Sequence, residues 1–242
     1  MSDKEDNPVH SERSAITQTY LLVACEPELE KMTEKHRALL DALGIELVFT
    51  GVGKVNATIA ASKVASSNAD WIINVGTAGS HTHPKGSVVC PDRYAQRDMD
   101  ATLIMRQFIP DFPVYLTPFE EHMFVVHHNQ RFNTLLGVDS GAFHIDLSAH
   151  IEGGICWTGD NTHGHTETTK SQPEFEVVEM EAFAIAKVCE VHRIPFTAFK
   201  YISDGADENV GEEWAENADG IPWDDILLTI RNAKNGVLRY PV

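Results

Sequence analysis

The sequence predicts an α/β protein built on a mostly parallel sheet covered by helices. Three observations carry that reading. Short apolar runs of strand length alternate with helical patterns between Thr19 and Val75. Glycine-bearing turns punctuate the joins, at Gly44, Gly51-Val-Gly53 and Gly76-Thr-Ala-Gly79. The same rhythm returns after Glu181, and strands separated by whole helices pair in parallel through crossover connections.

The elements follow in order. Residues 1–18 are polar, with no apolar signal-peptide core, and are expected to form a disordered tail. Residues 19–242 are expected to form a single domain, long enough to bury a sizeable core. Residues 19–24 read as the first strand. Glu26-Pro27 opens a helix, with Leu29, Met32, Leu39, Leu40 and Leu43 at helical spacing and Gly44 as its stop. Residues 45–50 are the next strand, and a second helix runs from the glycine turn through Ala65. A buried strand over 71–75 ends in the small-residue turn 76–79. In the middle, residues 87–90, 123–126 and 155–158 are strand candidates, and 131–136 a helix candidate. A helix is expected from Glu181 to His192, a strand over 195–203, and a last helix from Pro222 toward Leu238.

With 36 acidic and 19 basic residues the formal charge is −17. Such a surface repels phosphate backbones and anionic lipid, so neither nucleic acid nor membrane is an expected partner. No apolar stretch approaches the roughly 20 residues that span a bilayer. The four cysteines stand far apart in apolar surroundings, which suits reduced thiols and a cytoplasmic location. His81, His83, His163 and His165 pair at i, i+2 in loops, a spacing that matches no zinc signature, so no metal is expected. Gly51-Val-Gly-Lys54 lacks the spacing and the following Ser/Thr of a phosphate loop.

Ligands of open α/β sheets bind beyond the carboxyl ends of the strands. Four such places carry chemistry here: Cys25, Glu26 and Glu28; Gly76-Thr77-Ala78-Gly79; Val178-Glu-Met-Glu-Ala182; and Ile202-Ser-Asp204. Small residues let backbone N–H groups approach a ligand, and carboxylates bind hydroxyls and move protons. Each has a plainer reading. Glu26 suits a helix N-terminus, Asp204 a cap or turn, and Trp223 an apolar helix anchor. Arg97-Asp98-Met99-Asp100 reads equally as an exposed turn or as a site edge contributed across a dimer.

Taken in order, these segments resemble the nucleoside phosphorylase/nucleosidase family, in particular its hydrolase branch, the methylthioadenosine/S-adenosylhomocysteine nucleosidases. The likeness rests on Val23-Ala-Cys-Glu-Pro-Glu28, Gly51-Val-Gly-Lys-Val-Asn-Ala57, Ile73-Asn-Val-Gly-Thr-Ala-Gly79, Val178-Glu-Met-Glu-Ala182 and Ile202-Ser-Asp-Gly-Ala-Asp207. Arg97-Asp-Met-Asp-Ala-Thr102 and Thr158-Gly-Asp160 match more weakly, and the likeness fades between Leu103 and Gly153.

The resemblance implies a three-layer α/β/α fold with a mixed central sheet, no cofactor, and a homodimer acting on a small nucleoside. It assigns Glu28 to activation of the attacking water and Asp204 to protonation of the departing purine. Glu181 would hold the ribose hydroxyls with Met180 beneath the sugar, and Thr77 would stand near the water. Ser203 joins Asp204 in the substrate site. Lys200 stands where relatives carry arginine, an exchange of a planar fork for a point charge. Cys25, Val52 and Trp223 would face the ribose 5′ substituent. Thr162 and His163 replace an apolar or aromatic residue against the base.

The implied reaction is hydrolysis of an N-glycosidic bond. Positive charge builds on the ribose and negative charge on the base, so one carboxylate serves water and a second acid serves the base, as in inverting glycosidases. Phosphorolysis is the first alternative, disfavoured because Ala24-Cys-Glu-Pro-Glu28 offers a phosphate dianion two acids and no cation. The second alternative is a nucleoside-binding protein without turnover, suggested by Thr162, His163 and Lys200 and opposed by the presence of all three carboxylates.

Overall fold

The computed structural model describes residues 18–99, 102–111, 151–152, 155–161 and 176–234. The expected tail through residue 17, the strand over 123–126, the helix over 131–136, and Thr162 and His163 all lie outside the described residues. Gln18 already belongs to the fold. Its N–H donates to Asp70 Oδ2 at 3.0 Å, and Asp70 N–H donates back to its carbonyl at 2.8 Å.

Among the described residues nine strands form one sheet: β1 Thr19–Val23, β2 Ile45–Phe49, β3 Trp71–Gly79, β4 Val88–Cys90, β5 Arg93–Gln96, β6 Ile151–Glu152, β7 Ile155–Thr158, β8 Val177–Glu179 and β9 Phe196–Asp204. Along the main path their order is β5-β7-β8-β3-β9-β4-β6, with β1 pairing both β2 and β3. The β3–β8 and β4–β9 pairs are antiparallel and the others parallel. The sheet is therefore mixed and mostly parallel, as the sequence predicted.

The helices are α1 Glu34–Ala42, α2 Lys54–Ala65, α3 Thr102–Met105, α4 Ala182–His192, α5 Val210–Asn217 and α6 Trp223–Lys234, with short 3₁₀ turns at Glu26–Leu29 and Ala218–Gly220. Strand residues alternate between two cores. Tyr20, Leu22, Ile72, Phe196 and Ala198 pack with α2 and α4 on one face. Leu21, Val23, Trp71, Ile73, Val75 and Phe199 pack with α1 and α6 on the other. Strands buried on both faces read as continuous apolar runs, which is why Tyr-Leu-Leu-Val and Trp-Ile-Ile-Asn-Val stood out in the sequence. The result is the three-layer α/β/α arrangement. Among the described residues no helix is long and apolar enough to cross a membrane.

Two local expectations are corrected. The helix read from Glu26 to Leu43 is a 3₁₀ turn followed by α1. The Glu28 side chain takes the N–H groups of Ala24 and Cys25, pinning the first turn, and extended Thr33 restarts the chain as the residue before α1. The predicted turn over 76–79 is strand: β9 runs parallel to β3 from Phe196 through Ile202, so its backbone bonds carry β3 on to Gly79.

Candidate active site

One cavity of about 400 Å³ opens where the ends of β1, β3, β8 and β9 converge. Among the sequence-predicted residues, Cys25, Glu28, Val52, Thr77, Met180, Glu181 and Asp204 line it.

Glu28 is 4% exposed and receives four donors. Oε1 accepts from Thr77 N–H at 2.7 Å and from Thr77 Oγ1 at 3.0 Å, and Oε2 from Ala24 N–H at 3.1 Å and Cys25 N–H at 3.4 Å. Gly76 makes this approach possible, since a Cβ there would lie 2.9 Å from Glu28 Oε1. Glu26, by contrast, is exposed in the first turn of the 3₁₀ helix, as its plainer reading held.

Asp204 arrives through an irregularity. The β3–β9 register shifts between Ala78 and Gly79, so Ser203 is passed over and Asp204 comes opposite Gly79. Bulges of this kind re-aim side chains beside sites. Asp204 Oδ1 accepts Ala206 N–H at 2.9 Å and Oδ2 accepts the Ser203 hydroxyl at 2.8 Å.

Glu181 sits just before α4 and accepts Gly53 N–H at 2.7 Å. Gly53 has φ +91°, in the region that favours glycine, and that turn aims its N–H across to the carboxylate. Burial, then the neighbouring charge of Glu179, pushes the Glu181 carboxyl up to about 8. The next residue of the loop is engaged by two carboxylates. Lys54 Nζ pairs with Asp98 and lies 3.6 Å from Asp160 Oδ2, while Lys54 N–H donates to Asp160 Oδ1 at 2.8 Å.

Three predicted residues stand behind the wall. Ser203 is fully buried, and its hydroxyl meets two lining residues, Asp204 Oδ2 at 2.8 Å and the Ala78 carbonyl at 3.4 Å. Lys200 is 1% exposed and its Nζ lies 2.8 Å from Glu179 Oε2, which a linear side chain reaches across the intervening β3. Trp223 is 2% exposed, and its Nε1 donates to the Glu28 carbonyl at 3.2 Å. It is the apolar anchor of α6. The aromatic wall of the cavity comes from Trp214 instead.

The sequence did not single out Glu179. Its Oε2 accepts Glu181 N–H at 2.9 Å, Ala182 N–H at 2.8 Å and Lys200, and its Oε1 accepts the Thr158 hydroxyl. It thereby caps α4 and neutralises Lys200 at once. Burial opposes the charge of Glu179, but Lys200 and these hydrogen bonds outweigh it and hold the carboxyl below its usual value. The same partner holds Lys200 protonated despite burial.

Arg97, Asn161, Val210, Gly211 and Trp214 complete the polar edge and mouth. Arg97 is 7% exposed and lines this cavity, while Asp98 and Met99 beside it are exposed. Its guanidinium donates to the carbonyls of Gly159 and Asn161 and to Asn161 Oδ1, and burial lowers its pKa. Val210 and Trp214 stand at i, i+4, a helical signal too short to register on its own.

The model of the Phosphorylase superfamily matches residues 16–222. The chain belongs to this superfamily. A 5'-methylthioadenosine/S-adenosylhomocysteine nucleosidase of Bacillus pumilus is 28% identical over 200 residues, covering 78% of this chain and 81% of that one. One from Buchnera aphidicola is 31% identical over 186 residues, covering 73% and 74%. The nucleosidase of Neisseria meningitidis, solved with methylthio-immucillin-A, superposes with a TM-score of 0.66 at 23% identity, covering 90% of this chain and 97% of that one. Futalosine hydrolase of Helicobacter pylori superposes with a TM-score of 0.67 at 16% identity, covering 91% and 98%. The family and fold expected from the sequence hold, and the expected enzyme class, a nucleosidase hydrolase, agrees with the names of these relatives.

Proposed function

We propose that this member of the superfamily is a purine nucleoside N-ribosyl hydrolase acting on an adenosine-type nucleoside of the methylthioadenosine or S-adenosylhomocysteine kind. The observation that carries the reading is the meeting of Glu28, Glu181 and Asp204 in one cavity from segments far apart in sequence.

In the proposed reaction Glu28 takes a proton from water as the water oxygen bonds to C1′ of the ribose. The C1′–N9 bond breaks, its electron pair leaves with the base, and Asp204, acting as the acid, delivers a proton to N7. The ribose hydroxyls donate to Glu181 while the sugar rests on Met180. Acid and base positioned in this way each contribute about 10²–10⁴-fold. The apolar side of the cavity, with Cys25, Val52 and Val210, suits a thioether-bearing 5′ group.

Water is favoured over phosphate by the charges of the wall. The β1 loop contributes Glu28 and no cation. Among the described residues Arg97 is the one Lys or Arg side chain lining the cavity, and it is engaged with Gly159 and Asn161. A homodimer is part of the same proposal.

The test is base release from methylthioadenosine, S-adenosylhomocysteine, adenosine, inosine and AMP, with and without phosphate, beside Asp204→Asn. Phosphate-independent release that the substitution abolishes is the expected result. Release only with phosphate would establish phosphorolysis, and tight nucleoside binding without release in folded protein would establish a binding role.

A further inference from the structure

We propose that Trp214 is a positioning residue for hydrolysis: its indole N–H orients the Thr77 hydroxyl, and through it Glu28, toward the attacking water. The inference rests on the reading of Glu28 as the base.

The geometry is a chain of two hydrogen bonds. Trp214 Nε1 donates to Thr77 Oγ1 at 3.0 Å, and Thr77 Oγ1 donates to Glu28 Oε1 at 3.0 Å. An indole N–H can only donate, whereas a hydroxyl has one proton and two lone pairs. With one lone pair taken by Trp214, the hydroxyl proton is directed to Glu28, where Thr77 N–H also donates at 2.7 Å. The second lone pair stays available to accept from water. A water donating to that lone pair is held beside Glu28, with a lone pair of its own free to face the ribose carbon. Without Trp214 the hydroxyl can rotate, donate to the water oxygen and occupy the lone pair that must attack.

The placement of Trp214 is specific. No side chain of helix α5 is fully buried, so core packing alone does not fix it. Two consecutive residues tether it instead. Glu213 accepts Gly205 N–H at 2.9 Å, just after Asp204, and pairs with Lys85, while Trp214 reaches Thr77. One short helix thus touches the supports of both the proposed base and the proposed acid.

The test is a double-mutant cycle on base release with Trp214→Phe, Thr77→Val and the two combined. Loss of the indole N–H is expected to lower kcat about fivefold, the rate equivalent of one neutral hydrogen bond, with KM changed less than about twofold. The double variant is expected to fall no further than Thr77→Val alone, because the indole acts only through that hydroxyl. Additive losses, or a change confined to KM, would overturn the proposal. Trp214→His, which keeps a ring N–H, should retain more kcat than Trp214→Leu, and equal values would also overturn it. That comparison decides the matter if Trp214→Phe does not fold. A wild-type protein that releases no base refutes the hydrolase reading first, so the two failures are distinguishable.

Discussion

Replacing Glu181 by Gln tests whether this carboxyl is kept partly neutral by its surroundings. The side chain is 7% exposed, faces Glu179 and titrates near 8, against an ordinary value of 4.5. The folded protein therefore holds a proton that the unfolded chain releases. The associated stability is fully present below about pH 4.5 and is lost as pH rises toward 8. Across that window the slope is about 1.4 kcal/mol per pH unit for one proton, giving at most about 5 kcal/mol in all. Glutamine keeps the shape and can accept Gly53 N–H, yet it does not titrate. Urea unfolding at pH 5, 6, 7, 8 and 9 should show wild-type stability falling relative to Glu181→Gln, with the difference levelling off above pH 8. Subtracting the two curves removes the shared groups that lie away from Glu181. Parallel curves would refute the reasoning. A counterpart appears in function: the ionised carboxylate is the better acceptor for ribose hydroxyls, so wild-type KM should fall as pH rises to about 8, and the variant should lose this dependence.

Two further substitutions probe the supports of the site. At Gly79 an added Cβ would lie 2.3 Å from Asp204 Oδ1 and 2.9 Å from Ala206 Cβ, so Gly79→Ala should displace the proposed acid and lower kcat at least about 100-fold; near-normal turnover would show that Asp204 is not held there. Lys200→Met leaves the Glu179 carboxylate buried without its cation and should cost about 3–5 kcal/mol in urea unfolding, a loss below about 1 kcal/mol counting against the buried pair.

Much of this protein was written in local pattern. The alternation that places Leu21 and Leu22 in opposite cores, the glycines that admit Glu28 and turn Gly53 toward Glu181, and the carboxylates near strand ends are all short-range features. Period and residue size survive in a linear string, so the α/β class and most of the cavity's acids could be read from it. What required the folded chain was every decision made by long-range registration. The shift opposite Gly79 selects which face Asp204 presents. The placing of β3 between β8 and β9 lets Lys200 reach across it to Glu179, where the pair is buried. The choice between two tryptophans follows the same logic. Trp223 stands where α6 packs into the core beside Ile226, Leu227 and Ile230, while Trp214 rides a helix with no fully buried side chain and meets both the cavity and Thr77. Residues 137 positions apart in sequence make that bond, and only the sheet that separates and joins them brings its donor and acceptor to 3.0 Å.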